Sequence, residues 1–146
     1  MKGKFGFLGH VFVYKNGVLV HDQKNLIVDA GLTFSIRGLL VADQGRMTHL
    51  GIGSGTNAPA AQDTALQTQL ARAAFKIPPV GSNGDKTFDF SSEFGKGVGT
   101  GTINEAGIFS AATAGVMFSR VRLATPVSKG PDDVVEIAWK LTVGRI

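Results

Sequence analysis

The residues most suggestive of chemistry form a glycine-rich segment, Gly51-Ile52-Gly53-Ser54-Gly55-Thr56, that follows a β-like run. Glycines in this position are typical of loops whose backbone cradles a phosphate. A P-loop also needs Lys followed by Ser or Thr, and a dinucleotide site needs a helix directly behind the glycines. Here Asn57-Ala58-Pro59 follows, and Pro59 disfavours a continuous helix. We therefore interpret the segment as a tight loop in which only glycine fits. The glycine-rich residues 95–101 fail the same test.

Three histidines and an acidic turn are the candidates for metal binding. His10, His21 and His49 lack the i, i+4 spacing of a helical metal pair, and no carboxylate cluster lies near them in sequence. Asp132-Asp133 with Glu136 could hold a hard cation such as Ca²⁺, but an exposed acidic turn is the simpler interpretation. Cysteine is absent, which excludes disulfides, thiolate metal sites and a cysteine nucleophile. The sequence also lacks the Gly-x-Ser-x-Gly elbow of serine hydrolases. It predicts no catalytic, cofactor or metal residues, and therefore not an enzyme.

Length and composition predict a single domain over residues 1–146 that other subunits partly cover. A chain of 146 residues is an ordinary domain length. Charged residues make up 18%, below the roughly 25% usual for soluble domains. The net charge of +4 is spread along the chain, whereas a nucleic-acid binder concentrates Lys and Arg on one face. Since no apolar run reaches the ~18 residues of a membrane span, we expect neither nucleic acid nor membrane as a partner.

Short alternating runs separated by turn residues predict a mainly β, antiparallel sandwich or barrel. The clearest unit is a hairpin, in which Val11–Tyr14 and Val18–His21 flank Lys15-Asn16-Gly17. Asn-Gly is the typical pair of a type I′ hairpin turn. The last run places Val135, Ile137 and Trp139 on one side, so we expect Trp139 in the core. Residues 70–72 are compatible with either a helical turn or an extended crossing.

One short helix is expected near residues 30–42. Its apolar residues recur at helical spacing, and Asp29 is the predicted N-cap. These apolar residues are Leu32, Ile36, Leu39 and Leu40.

The N-terminal segment has two interpretations. It is either the first strand of the fold or an arm, residues 1–9, that adds to a neighbouring subunit as an extra strand. In the second interpretation its basic and apolar side chains make the subunit contact. These residues are Lys2, Lys4, Phe5, Phe7 and Leu8.

Two blocks of the sequence carry a family resemblance. The first is Leu50-Gly51-Ile52-Gly53-Ser54-Gly55-Thr56-Asn57-Ala58-Pro59, with Asp63-Thr64-Ala65-Leu66 and Leu70-Ala71-Arg72 behind it. The second is Gly99-Thr100-Gly101-Thr102-Ile103-Asn104-Glu105-Ala106-Gly107-Ile108-Phe109, with the later Val127-Ser128-Lys129-Gly130 and Trp139. Together they resemble small virion proteins of tailed bacteriophages, both capsid decoration (cement) proteins and tail or fibre components.

The resemblance implies a jelly-roll-like β-sandwich that serves as an assembly module. The glycines, Pro59 and Asp63-Thr64 would shape loops. Because the chain lacks a long repetitive fibre shaft, we expect a cement protein on the outer capsid surface, made in the host cytoplasm. Its partners would be the major capsid protein and itself, as a homo-dimer or trimer. The alternatives are a tail, baseplate or fibre-attachment component, and a surface carbohydrate-binding module, for which Tyr14 and Trp139 are the only Tyr and Trp in the sequence.

Overall fold

The structure is a computed structural model that describes residues 5–41, 45–76 and 86–145. Within these ranges the chain forms an eight-stranded antiparallel sheet and one helix. In chain order, the elements are β1 (Phe5–Lys15), β2 (Val18–Ile27), α1 (Asp29–Leu40), β3 (His49–Gly53), β4 (Gln69–Ala74), β5 (Thr87–Phe94), β6 (Gly101–Phe109), β7 (Met117–Lys129) and β8 (Val135–Arg145). The prediction of a mainly β antiparallel fold with one short helix is confirmed, and residues 70–72 are extended within β4.

The sheet has the strand order β4-β3-β6-β7-β2-β1-β8-β5 and divides into two layers. The division lies between β2 and β7, which pair only at Leu26 and Ile27. We call β2, β1, β8 and β5 the β1 layer, and β4, β3, β6 and β7 the β6 layer. Because the two layers are joined by so few residues on this side, they face one another like the halves of a sandwich.

The opposite side of the sandwich is also joined. Lys76, just after β4, exchanges backbone hydrogen bonds with Ser91 of β5, at 2.6 and 3.1 Å. The Ser92 hydroxyl, which is buried, donates to the carbonyl oxygens of Ala73 and Ala74 at 2.9 and 3.0 Å. These contacts bring the two end strands of the sheet together, so the sandwich is nearly a closed barrel.

The core lies between the layers and follows the alternation of the strands. Val135, Ile137 and Trp139 of β8 are buried, as their spacing predicts. The Trp139 indole N–H donates to Asn25 Oδ1 at 3.2 Å, which satisfies its polar atom. Buried residues of the other layer complete the core, among them Leu50, Ile52, Ile103, Ile108 and Val121.

The predicted hairpin is present between β1 and β2. Asn16 and Gly17 both have positive φ, 51° and 82°, as a type I′ turn requires. The Asn16 side chain donates to Asp133 Oδ1 at 3.0 Å and accepts from the Val134 N–H at 2.9 Å. The hairpin tip is therefore fixed to the turn that precedes β8.

The helix begins one residue earlier than its sequence predicts. Its N-cap is Val28, without a side-chain capping bond, so the assignment of Asp29 as N-cap was wrong. The reason is tertiary: the Val28 N–H donates to Phe118 O of β7 at 3.2 Å, and the Asp29 N–H donates to Ala61 O at 2.7 Å. Backbone acceptors elsewhere in the fold thus replace the side-chain cap.

Candidate functional site

The residues predicted to contact a neighbouring subunit lie at the start of β1. Lys2 and Lys4 fall outside the described residues. Phe5 begins β1, where it is opposite Arg145 of β8. The Phe7 ring packs edge-on against Phe118 with the ring centres 5.6 Å apart, whereas Leu8 is exposed. The described residues 5–9 are thus paired within the fold as part of β1, and Leu8 presents an apolar side chain to solvent.

The histidines and the acidic turn have partners within the chain. His10 Nε2 lies 2.8 Å from Asp22 Oδ1, and His49 Nδ1 lies 2.7 Å from the Thr48 hydroxyl. Asp133 accepts from the Gly130 N–H and from Asn16, and these hydrogen bonds lower the pKa of its carboxyl group. In the described part of the chain, no group of three or more His, Asp or Glu side chains is arranged to hold a metal ion.

A flat strip of glycines crosses the outer face of the β6 layer. Gly51 of β3 pairs with Gly107 of β6, and Gly53 follows on the same face. The Phe109 ring and the Leu66 side chain lie directly over Gly51 and Gly107. A Cβ at Gly51 would be only 2.7 Å from the Phe109 ring. We call Gly51, Gly53 and Gly107 the glycine strip. Because these residues lack side chains, residues 54–68 lie directly on the sheet.

A charge cluster holds this loop in place. It consists of the buried Glu105 and Arg120 and the partly exposed Asp63, and we call it the buried charge cluster. Glu105 of β6 is 0% exposed and Arg120 of β7 is 2% exposed. The Arg120 guanidinium donates to Glu105 Oε2 through Nε at 3.0 Å and Nη2 at 2.7 Å, and to Asp63 Oδ2 through Nη1 at 3.1 Å. It also donates to the backbone oxygen of Asn57 at 3.0 Å. A guanidinium that makes this many bonds fixes the loop at several points.

The Glu105 carboxylate accepts the backbone N–H groups of the glycine-rich loop. Gly55 and Thr68 donate to Oε1 at 3.2 and 2.8 Å, and Gln67 donates to Oε2 at 3.0 Å. In a phosphate-binding loop such amides face the ligand. Here they face a carboxylate of the same chain, so these three amides serve to shape the loop. Asp63 also shapes the loop, since it accepts the Ala60 N–H at 2.9 Å.

The same loop also supports the first turn of α1. Ala61 accepts the Asp29 N–H, so the loop and the first turn of the helix are joined by a main-chain bond. Below the helix, Val28, Leu66, Phe109 and Met117 form a small buried cluster separate from the main core. Gly31 lies so close to β7 that a Cβ there would be 2.1 Å from Phe118 O. The first turn of α1 is therefore rigidly seated on the β6 layer.

The large aliphatic side chains of α1 point into solvent. Helical residues that recur at this spacing normally form the buried face. In α1 the buried residue is Gly31, and exposure of the aliphatic side chains rises from about half in the middle of the helix to 74% at Leu39 and 79% at Leu40. We call Leu32, Ile36, Leu39 and Leu40 the outer helix face. The helix thus presents to solvent the side chains that usually bind it to a core.

Sequence reasoning missed both features of this region. It assigned no role to Glu105 or Arg120, and it did not predict which way the apolar stripe of α1 faces. The signal for the charge cluster was a charged residue directly before an apolar run: Glu105 is followed by the buried Ala106, Gly107, Ile108 and Phe109.

Comparisons with known proteins leave the site to be interpreted from its geometry. No protein-family model matches the sequence, and no significant match was found among curated proteins or among solved structures. Within the described residues, no helix is both long enough and apolar enough to cross a membrane.

Proposed function

We propose that this chain is a structural subunit of a tailed-phage particle that packs against other proteins through the outer helix face, and that it is not an enzyme. The observation that carries the proposal is the orientation of α1. Fully burying a fully exposed Leu or Ile side chain contributes about 1.5–3 kcal/mol, and these side chains, which are 47–79% exposed, can each contribute part of that. Four such side chains on one helix make an apolar surface that favours association with a partner.

The support beneath α1 agrees with this role. A docking surface holds a partner best when it is preorganised, because less conformational freedom is lost on binding. The first turn of α1 is fixed by backbone bonds to Phe118 and Ala61, and the loop that contains Ala61 is held by the buried charge cluster. The two sequence blocks that resemble phage virion proteins meet in this support, since Glu105 of the second block accepts amides of the first.

Within the particle, we propose that the chain decorates the outer capsid surface, bridges capsomers and associates with the major capsid protein and with further copies of itself. Contacts repeated over a shell strengthen one another through avidity. The competing location is the tail, baseplate or fibre attachment. Quantitative mass spectrometry of purified particles separates the two: copy numbers in the hundreds support the shell, and a dozen or fewer support the tail.

The packing role is tested by changing Leu39→Gln and Leu40→Gln together. Glutamine retains high helix propensity, so the isolated fold should keep its stability while the outer helix face loses its apolar end. We expect self-association, measured by sedimentation equilibrium, to weaken at least about tenfold, and incorporation into particles to fall with it.

The matched control is Val98→Gln, which makes the same kind of change at a side chain that is 43% exposed in the loop between β5 and β6. It should leave both association and incorporation unchanged. A doubly substituted chain that folds, associates and enters particles like the parent would contradict the role of α1. A parent chain that stays monomeric and is absent from purified particles would contradict the proposed function as a whole.

A further inference from the structure

The outer face of the β1 layer contains a trough that the assembly role does not use. It is a cavity of about 350 Å³ formed by side chains of β1, β8 and β5. This volume is within the roughly 300–1,000 Å³ of small-ligand sites. Since α1 packs on β7, the trough and the outer helix face belong to different layers of the sandwich.

The pairing register gives the trough its shape. Its floor is the row formed by Ala138 of β8 and Ser91 of β5, two small residues that are directly opposite one another. The same row continues on β1 with the aromatic side chain of Phe12. Small residues flanked by larger ones make a depression in an otherwise filled sheet face.

The rows on either side form the walls. On one side Glu136 lies opposite Tyr14 of β1, and on the other Lys140 lies opposite Asp89 of β5. The trough is therefore lined by two aromatic rings on adjacent same-face positions of β1, a hydroxyl, two carboxylates and an ammonium group.

We propose that this trough binds a neutral pyranose ring of a saccharide. A pyranose presents C–H groups on its faces and hydroxyl groups around its edge. The rings of Phe12 and Tyr14 offer an apolar wall with a polar tip at the tyrosine. Carboxylates accept from sugar hydroxyls, the ammonium group donates to them, and the Ser91 hydroxyl does either.

The charges favour a neutral ligand over an anionic or a cationic one. Lys140 lies beside Asp89, and Glu93, next to Glu136 across the strand pair, is bonded to Lys76 at 2.8 Å. Near-balanced charge gives little net attraction to a strongly charged group. A lysine or arginine side chain of a protein partner is the competing occupant, because aromatic rings and carboxylates also attract cations.

The inference is tested by NMR titration of the full ¹⁵N-labelled chain with methyl glycosides of glucose, galactose and N-acetylglucosamine. We expect at least one to bind with a Kd on the order of 1 mM, as suits an open site for a single sugar ring. Shift changes should be confined to the strand segments that line the trough, around residues 12–14, 89–91 and 136–140.

Two variants and two controls localise the binding. Tyr14→Ala should weaken binding at least about fivefold, whereas Tyr14→Phe, which keeps the ring, should retain most of it. Ala138→Leu fills the floor and should abolish binding. Phe88→Ala removes an exposed ring from β5 outside the trough and should leave binding unchanged.

The results that overturn the proposal are equally specific. It fails if none of the three glycosides shifts the trough resonances, or if binding survives both Tyr14→Ala and Ala138→Leu. It also fails if N-acetyl-lysine methylamide shifts these resonances and the glycosides do not, which would assign the trough to a basic side chain of a protein partner. Each of these outcomes leaves the role of the outer helix face unaffected.

Discussion

The two outer faces of this sandwich differ in what covers them. On the β6 layer, the glycine strip removes side chains, and residues 54–68 and α1 cover the strands. On the β1 layer, side chains such as Phe12, Glu136 and Lys140 stand on the sheet with no loop above them in the described part of the chain. A covered face requires main-chain and charged groups to be satisfied internally, whereas water satisfies them on an open face. The same substitution should therefore change the free energy of unfolding much more on the β6 layer than on the β1 layer.

The largest expected effect comes from comparing two glutamates. Glu105→Ala removes the acceptor of three backbone amides and leaves the Arg120 guanidinium buried without its main partner. Removing one partner of a buried ion pair costs about 3–5 kcal/mol. We expect the free energy of unfolding, measured by urea denaturation, to fall by that amount.

The control on the open layer is Glu136→Ala, which should change the free energy of unfolding by no more than about 0.5 kcal/mol. Equal losses for the two variants would remove the distinction between the covered and the open face.

An intermediate effect is expected at a strand glycine of the covered layer. In Gly53→Ala the new methyl group would lie 2.4 Å from both Glu105 Oε1 and Thr68 O, so the loop must move. Overpacking of this kind costs about 1–3 kcal/mol. Hydrogen exchange should show faster exchange of the Gln67 and Thr68 amides, which are held by Glu105.

Gly144→Ala is the matched change on β8 of the β1 layer, where a Cβ would meet nothing within 4 Å. Since alanine loses less backbone freedom than glycine on folding, this variant should be neutral or slightly more stable. A cost at Gly144 as large as that at Gly53 would mean that the open layer is as closely covered as the other.

The smallest effect concerns pH, at the hairpin tip that fixes β1 to β8. Hydrogen bonds from Asn16 and Gly130 lower the pKa of Asp133 in the folded chain. The ionised carboxylate is thereby favoured by folding, so its stabilisation is present above the unfolded pKa of about 3.9. This stabilisation is lost as the pH falls through the lowered pKa of the folded chain.

We expect Asp133→Asn to reduce the acid dependence of the unfolding midpoint, with the parent and the variant converging at the lowest pH. If the unfolding midpoint of the variant depended on pH as steeply as that of the parent, other carboxylates would account for the acid dependence.

Much of the fold could be predicted from local pattern. Asn16-Gly17 specifies its turn because positive φ is needed at both positions, and alternation placed Trp139 in the core. The interpretation of residues 51–56 as a tight loop was correct only for residues 54–56, because Gly51–Gly53 lie in β3. The requirement for glycine is confirmed, since a Cβ at Gly51, Gly53 or Gly55 would collide with neighbouring atoms. These features depend on residues adjacent in sequence or repeating with a fixed period.

The charge cluster, the helix cap and the orientation of α1 depend on contacts between residues far apart in the sequence, which local patterns do not predict. The partner of Arg120 could not be chosen from the sequence, because Asp63 and Glu105 lie on different elements and only the fold brings them together. Asp29 was assigned as a cap because its type suits that role, yet a distant carbonyl satisfied the helix instead. The stripe on α1 has the period of a buried face, but periodicity gives no information about which molecule buries it.

The way α1 is attached has a mechanical consequence. Its close contact is at Gly31, in the first turn, whereas Leu40 lies about 14 Å further along the axis at 1.5 Å per residue. A tilt of about 10° about this contact would move the far end of the helix by about 2 Å. In the proposed assembly role, such a tilt would let the outer helix face meet partners at slightly different angles.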